Sequence, residues 1–218
     1  TVSGDLWRRA LELAERHGLA LHAHVAQSAE EARRCLERHG VSPVAWLERE
    51  GLLQLNRQRP LPLVPQRLAV ISSETAAGLH DFQRQLADNE YGYQYRLRLF
   101  PAAMQGTNTV REVSEQLKRI QQSAKPFDAV AIIRGGGARL DLAVFDEYEL
   151  CRAVAQCEVP VLVGIGHEVD DVLLDSVAHT ALKTPTAVAE YLISRSMQFE
   201  AGLLQLGQRA GRLAQEKL

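Results

Sequence analysis

Short apolar runs alternate with amphipathic segments over residues 67–166, as is typical of strands alternating with helices. The apolar runs predict four strands, at residues 67–71, 95–100, 128–134 and 159–166. Between them, apolar side chains recur near helical spacing and predict helices over about 75–89, 107–122 and 148–156. Strands that are apolar throughout are buried on both faces. The pattern therefore predicts an α/β fold, a Rossmann-like three-layer arrangement of a parallel sheet with helices on both faces.

Other segments flank the predicted sheet domain, which we place at residues 67–192. Residues 1–50 show the pattern of helix, strand, helix. Residues 51–66 carry three prolines in six residues, which favours a linker over a helix or a central strand. From Pro185 the pattern predicts a long C-terminal helix, and residues 193–218 form the start of a long helical region. We expect this helix to be interrupted at Gly202, Gly207 and Gly211.

Composition narrows the class of protein without naming a function. The chain has 218 residues, of which 46% are hydrophobic and 24% charged, ordinary values for a folded domain. It shows no apolar run of about 18 residues and no signal-peptide pattern, so we expect a cytoplasmic protein without a membrane segment. A net charge of −2 means that any polyanion site must be local. Three cysteines lack CxxC spacing and predict buried thiols: Cys35, Cys151 and Cys157.

The stretch AIIRGGGARLDLAVFD places an arginine and three glycines at the carboxyl end of the third predicted strand: Arg134, Gly135, Gly136 and Gly137. Ligands of open parallel sheets bind at these ends. Glycines let backbone N–H groups approach an anion, and an arginine can grip a phosphate with two hydrogen bonds. Ser72 and Ser73 follow the first strand at the same edge, and with Thr75 they offer N-cap oxygens to the next helix. The spacing allows two alternatives, a phosphate cradle or a tight turn without a ligand.

A second group of polar residues lies in GIGHEVDD, after the fourth predicted strand. If this segment turns into a helix, His167 and Asp170 face the same way, and the carboxylate can orient the imidazole. A histidine beside a phosphate can act as general acid or base. Taken alone, such a pair is more often structural, and Asp81 in AGLHDFQ is most often a solvated helix charge.

Several long motifs occur in the order found in one known family: LPLVPQRLAVISSETAAGLHDFQRQL, LFPAAMQG, IIRGGGARLDLAVFD, VGIGHEVDDVLLDSVAH and KTPTAVAEYLI. Over about residues 52–218 they resemble the catalytic domain of the large subunit of exodeoxyribonuclease VII. The resemblance implies hydrolysis of single-stranded DNA from its ends to short 5′-phosphorylated oligonucleotides. It also implies a partner, a small helical subunit bound in several copies. Carried over by position, the essential residues of the family fall on Asp81, Arg134, His167 and Asp170.

The mechanism expected from these positions needs no fixed cofactor, with Mg²⁺ as a stimulator. The sequence shows no clustered carboxylates of the kind that hold two metal ions in nucleases. Arg134 and the glycine N–H groups would hold the scissile phosphate, while Ser72 and Ser73 would line the DNA site. His167 would transfer a proton and Asp170 would orient it, whereas the role of Asp81 stays open between base and positioning group.

Residues 1–50 resemble something else, an internal βα segment of the zinc-dependent amidohydrolase barrels. His22 and His24 alternate onto one face of a predicted strand, which suits metal ligands, but Gln27 stands where many members carry a catalytic glutamate. The remaining ligands are missing, so we expect no bound zinc. Members of the exonuclease family begin with an OB-fold that this pattern lacks, and we therefore expect the chain alone to bind single-stranded DNA weakly. Two alternatives to a nuclease are a zinc amidohydrolase fragment and a non-catalytic nucleotide- or phosphate-binding domain.

Overall fold

The computed structural model describes residues 41–135, 139–165 and 172–215. In these ranges five parallel strands form one sheet in the order β2-β1-β3-β4-β5. The first four strands confirm the prediction from apolar runs, while the fifth has two residues and is too short to leave a pattern. The strands are β1 (Arg67–Ser72), β2 (Arg96–Pro101), β3 (Ala129–Ile133), β4 (Val161–Gly164) and β5 (Thr180–Ala181).

Six α-helices lie in the described ranges, and the three predicted between strands begin and end within two residues of their predicted bounds. Two 3₁₀ segments, Leu52–Gln54 and Arg139–Asp146, were not predicted. The helices are α1 (Pro43–Arg49), α2 (Ala77–Ala87), α3 (Thr109–Gln121), α4 (Tyr148–Ala155), α5 (Leu173–Val177) and α6 (Pro185–Gln215).

Helices cover both faces of the sheet, which confirms the three-layer α/β fold. The alternation of β1 shows how: Leu68 and Val70 pack with α2 and the first turns of α6, whereas Ala69 and Ile71 pack with α3, α4 and α5. Every residue of β3 is buried. Such burial on both faces explains why the central strands carry no polar alternation in the sequence.

The segment before β1 packs on the sheet domain. Leu47 and Leu52 are buried in the core on the α3 side, and the Trp46 ring stacks on Tyr148. Asn56 lies in the segment interpreted as a linker, yet it is fully buried and hydrogen bonds at both ends of its amide. Residues 51–56 therefore belong structurally to the domain.

The long helix α6 runs without a break from Pro185 to Gln215, so the expected interruptions at its glycines do not occur. At about 1.5 Å per residue it is about 46 Å long. Its first turns are anchored in the core, with Val188 and Leu192 completely buried. This anchoring offsets the roughly 1 kcal/mol that each interior glycine costs a helix. No described helix combines the length and the apolar character needed to cross a membrane.

The cysteine prediction is confirmed for two of three residues. Cys151 and Cys157 are buried free thiols. Burial also raises the pKa of the Cys157 thiol above its usual value, which keeps it protonated and unreactive. Cys35 lies outside the described residues, as do His22, His24 and Gln27.

Candidate active site

The carboxyl ends of β1 and β3 lie side by side at the point where the strand order reverses. From β1 the chain crosses to β2 at one edge and then returns to β3, β4 and β5 on the other side. Open α/β sheets bind their ligands at such a topological switch point. We use the name switch region for residues 72–73, residues 134–135 and the first turn of α2.

Ser72 joins the two central strands at this point. Its hydroxyl is buried and donates a hydrogen bond to the carbonyl oxygen of Ile133, with 2.7 Å between the two oxygens. The hydroxyl hydrogen is thus used inside the sheet. Ser73, the next residue, is half-buried, and its hydroxyl oxygen lies 3.4 Å from that of Thr75.

Arg134 lies directly after β3 and is only 5% exposed. Its backbone N–H donates to the carbonyl oxygen of Gly164 at 3.2 Å, which extends the β3–β4 pairing by one residue. A charge held in a poorly solvated place interacts with another charge more strongly than it does in water. The structure therefore places Arg134 directly after the carboxyl end of β3, within the switch region.

Gly135 packs against the first turn of α2 more closely than any other residue type allows. A Cβ atom on Gly135 would collide with the backbone nitrogen of Gly78 and lie 2.6 Å from its Cα. A Cβ atom on Gly78 would in turn lie 2.8 Å from the Pro185 ring at the start of α6. Two helix N-termini and the end of β3 therefore converge at this pair of glycines.

The N-terminus of α2 differs from its prediction. The helix begins at Ala77, two residues later than expected, and its N-cap residue is Ala76. Within the described residues, no side chain caps it, and this includes the side chains of Ser72, Ser73 and Thr75. The positive end of this helix dipole lies beside Gly135, where it suits an anion.

Asp81 lies one turn after Gly78 on α2. Its side chain is 48% exposed, and one carboxylate oxygen lies 2.8 Å from a guanidinium nitrogen of Arg84. An exposed pair of this kind contributes at most about 1 kcal/mol, so a ligand can replace Arg84 at little cost. Asp81 therefore has an accessible carboxylate on the helix whose first turn contacts Gly135.

Four predicted site residues lie outside the described residues: Gly136, Gly137, His167 and Asp170. The chain on either side of residues 166–171 is well fixed. Gly164 pairs with Ile133, and Leu173 donates its N–H to the buried carboxylate of Asp146 at 2.6 Å. Within the described ranges, no three His, Cys, Asp or Glu side chains are grouped as metal ligands.

Sequence reasoning missed two residues that shape this region. Gly78 gave only a weak signal, a glycine in the first turn of a predicted helix, where it lowers helix propensity. Asp146, the last residue of the glycine-rich motif, gave no signal in the sequence, because its hydrogen-bond partner Leu173 lies 27 residues later.

Comparisons with known proteins place these motifs in a family. The model of the exonuclease VII large subunit matches residues 52–218. An exodeoxyribonuclease 7 large subunit from Moorella thermoacetica is 37% identical over 174 residues, 80% of this chain and 42% of the relative. One from Parasynechococcus marenigrum is 42% identical over 149 residues, which cover 67% of this chain and 38% of the relative. One from Cyanothece sp. is 39% identical over 147 residues, which cover 67% of this chain and 34% of the relative.

The chain thus spans 34% to 42% of the length of these curated relatives. The family match begins at Leu52, and the comparisons give no support to the resemblance between residues 1–50 and the zinc amidohydrolases. The matched range includes every described element from the first 3₁₀ segment to α6, and the switch region with it. By the extent of this match, the chain belongs to the exonuclease VII large-subunit family.

Proposed function

We propose that this chain carries the catalytic domain of a cytoplasmic exodeoxyribonuclease that hydrolyses single-stranded DNA to short 5′-phosphorylated oligonucleotides. The observation that carries the proposal is the placement of the motif arginine. Arg134 lies buried at a topological switch point, next to a glycine that contacts the uncapped first turn of α2. A guanidinium, bare backbone N–H groups and a helix N-terminus together suit a phosphodiester.

In the proposed reaction, Arg134 holds the non-bridging oxygens of the scissile phosphate. The N–H groups of Gly135, Gly136 and Gly137 share the negative charge that grows on them in the transition state. Water attacks phosphorus and the bond to the 3′ oxygen breaks, which leaves the phosphate on the 5′ end of the product. His167 moves a proton from the water or to the leaving oxygen, and Asp170 orients it. Asp81 acts as a base or as a positioning group at the open side.

The proposed chemistry requires no resident metal ion, and Mg²⁺ acts as a stimulator. In this scheme the arginine and the glycine N–H groups stabilise the charge that metal ions neutralise in two-metal nucleases. Activity that persists in EDTA and rises on addition of Mg²⁺ is the expected result. Complete and reversible loss of activity in EDTA would contradict this part of the proposal.

The proposed protein partner is a small helical subunit bound in several copies along the distal part of α6. Beyond Ser196 this helix leaves the core and exposes large apolar side chains. Large apolar side chains exposed on a helix are typical of a surface that other helices cover. Without the partner, we expect the chain to self-associate through these side chains: Met197, Phe199, Leu203, Leu204, Leu206 and Leu213.

The central test is cleavage of end-labelled oligonucleotides by the chain, alone and co-expressed with a small subunit of the same family. We expect 5′-phosphorylated fragments from single strands and none from blunt duplex. Arg134→Ala and Arg134→Lys should both abolish cleavage, because a point charge does not reproduce a bidentate grip. The matched control is Arg152→Lys, an exposed arginine on α4, which should leave the rate unchanged.

Two results would contradict the proposal. Cleavage at the wild-type rate by folded Arg134→Ala would remove the arginine from the mechanism. Oligonucleotide binding without cleavage by the wild-type chain with its small subunit would favour the non-catalytic phosphate-binding domain instead.

A further inference from the structure

A groove runs along the outer edge of β2, on the side covered by α3. Two adjoining depressions form it, with volumes of ≈ 530 Å³ and ≈ 370 Å³. They share Arg98, Ser123 and Ala124, so they are continuous. β2 is the edge strand of the sheet, and the loop after α3 forms the opposite wall. We call this feature the β2 groove.

The β2 groove is strongly basic although the chain as a whole carries a charge of −2. Among the described residues, none of those that line the two depressions carries a carboxylate. In the described part of the chain, the ion pairs join Arg84 to Asp81 and Arg111 to two glutamates, and none includes a cation of the groove. Five cations from four parts of the fold, namely β1, β2, the end of α3 and the loop after α3, converge here: Arg67, Arg96, Arg98, Arg119 and Lys125.

The carboxylate next to this group is already engaged by backbone. One oxygen of Asp128 accepts hydrogen bonds from the N–H groups of Gln66 and Arg67, both at 2.8 Å. These bonds hold the carboxylate in place, and its single negative charge offsets at most one of the five positive charges of the groove. A local excess of charge of this kind is what a polyanion recognises.

Two of the arginines lie on an aromatic base. The Arg98 guanidinium lies 5.0 Å from the centre of the Phe100 ring, and that of Arg67 lies 5.9 Å from the centre of Phe127. The two rings pack edge to face with centres 5.6 Å apart. A guanidinium stacked on a ring is held in place while its edge keeps N–H donors for phosphate oxygens.

We propose that the β2 groove binds the sugar-phosphate backbone of single-stranded DNA and leads it to the switch region. This inference rests on the proposed function, since it supplies a path for the same substrate. β2 has six residues and is about 20 Å long. Its last residue, Pro101, pairs with Ser72, so the groove ends beside the switch region.

Charged side chains also protect edge strands against pairing with other chains. Protection would require only the charges on β2 itself, at Arg96 and Arg98. The groove gathers further cations from the loop and from the end of α3, at Lys125 and Arg119, which do not belong to the edge. Convergence from outside the strand favours binding of an anionic ligand.

The test is fluorescence anisotropy with a labelled oligodeoxythymidylate of about 15 nucleotides, a length within the range that single-strand binding folds cover. The groove variant is Arg96→Gln, Arg98→Gln and Arg119→Gln combined. The control variant replaces three other exposed arginines, which lie away from the groove: Arg49→Gln, Arg111→Gln and Arg152→Gln. All six side chains are exposed, so both proteins should fold, and thermal unfolding within about 2 °C of wild type verifies this. Electrophoresis afterwards confirms that the oligonucleotide is intact.

We expect the groove variant to bind about tenfold or more weakly than the control at low salt. The slope of log affinity against log salt should fall by about 2, since each phosphate contact on a single strand contributes about 0.7. Equal affinities and slopes for the two variants would overturn the proposal. Equal competition by a polyglutamate peptide of matched charge would also overturn it, in favour of an acidic protein partner.

The outcome is separable from that of the proposed function. Loss of binding in the groove variant, with no cleavage by the wild-type chain co-expressed with its small subunit, would support the groove and refute the nuclease. Cleavage by wild type, with unchanged binding and cleavage in the groove variant, would support the nuclease and refute the groove.

Discussion

Asn56 gives the sharpest test of how the fold is held together, because both ends of one buried amide join three separate segments. Its side-chain nitrogen donates to the carbonyl oxygens of Cys157 and Val159, at 2.9 and 3.0 Å. Its side-chain oxygen accepts from the N–H groups of Val161 and His179, at 2.8 and 3.1 Å. The residue is fully buried, so water does not compete for these four bonds.

Asn56→Ala leaves two carbonyl oxygens and two N–H groups without this partner. At about 1 kcal/mol for each hydrogen bond, the loss is about 4 kcal/mol. For a domain of this size, 1 kcal/mol corresponds to about 2–4 °C, so the midpoint of thermal unfolding should fall by about 8–16 °C. Asn56→Asp should also destabilise, because a carboxylate keeps the shape but cannot donate to Cys157 and Val159.

Circular dichroism melts of the two variants and of a matched control measure this loss. The control is Asn108→Ala, since Asn108 is exposed and its side chain makes no capping bond to α3. We expect the control to unfold within about 2 °C of wild type. If Asn56→Ala and Asn108→Ala unfolded at the same temperature, residues 51–56 would be a linker after all.

Two further predictions concern close packing and pH. Gly135→Ala should destabilise the protein and abolish cleavage, because the added Cβ would collide with Gly78. The control Gly202→Ala, in open space on α6, should stabilise the protein by about 0.5–1 kcal/mol in urea melts. Burial, and secondarily the charge of Arg195, lowers the pKa of His179 below the usual histidine value of 6.5. The unfolded state then binds the proton more tightly than the folded state does. The stability that the neutral His179 side chain contributes is therefore complete above pH 6.5 and is lost as the pH falls below that value. His179→Gln should reduce the loss of unfolding free energy between neutral and mildly acid pH, while the control His80→Gln, at an exposed position, should not. If the unfolding free energy of the two variants fell equally with pH, His179 would not be the source of this pH dependence.

The strands were predictable because burial on both faces leaves a direct mark on the sequence. β3 is apolar at every position, and its neighbours in the sheet show nearly the same pattern. The strand β5 left no mark because two residues cannot show a period. The glycines of α6 misled the prediction because intrinsic propensity is weaker than the anchoring of the first turns in the core.

Long-range contacts between single residues could not be predicted in this way. The partners of Asn56 lie 101 to 123 residues away, and the nearby prolines favoured a linker. The contact between Gly78 and Gly135 likewise depends on how α2 crosses the end of β3. By contrast, the position of Arg134 at the ligand-binding edge followed from topology alone, since the carboxyl ends of parallel strands meet there.

From the sequence, the glycines after Arg134 could form a tight turn or a phosphate cradle, and close packing explains why the first of them is a glycine. A turn that requires glycine would place it at positive φ, as at Gly51, Gly92 and Gly106 among the described residues. Gly135 is not in that conformation. The space available explains it instead, because any side chain would push the first turn of α2 away from the end of β3. The absence of a Cβ on Gly135 therefore allows the N-terminus of α2 to lie next to Arg134. The same glycine thus permits the close packing and brings together two parts of the proposed anion site.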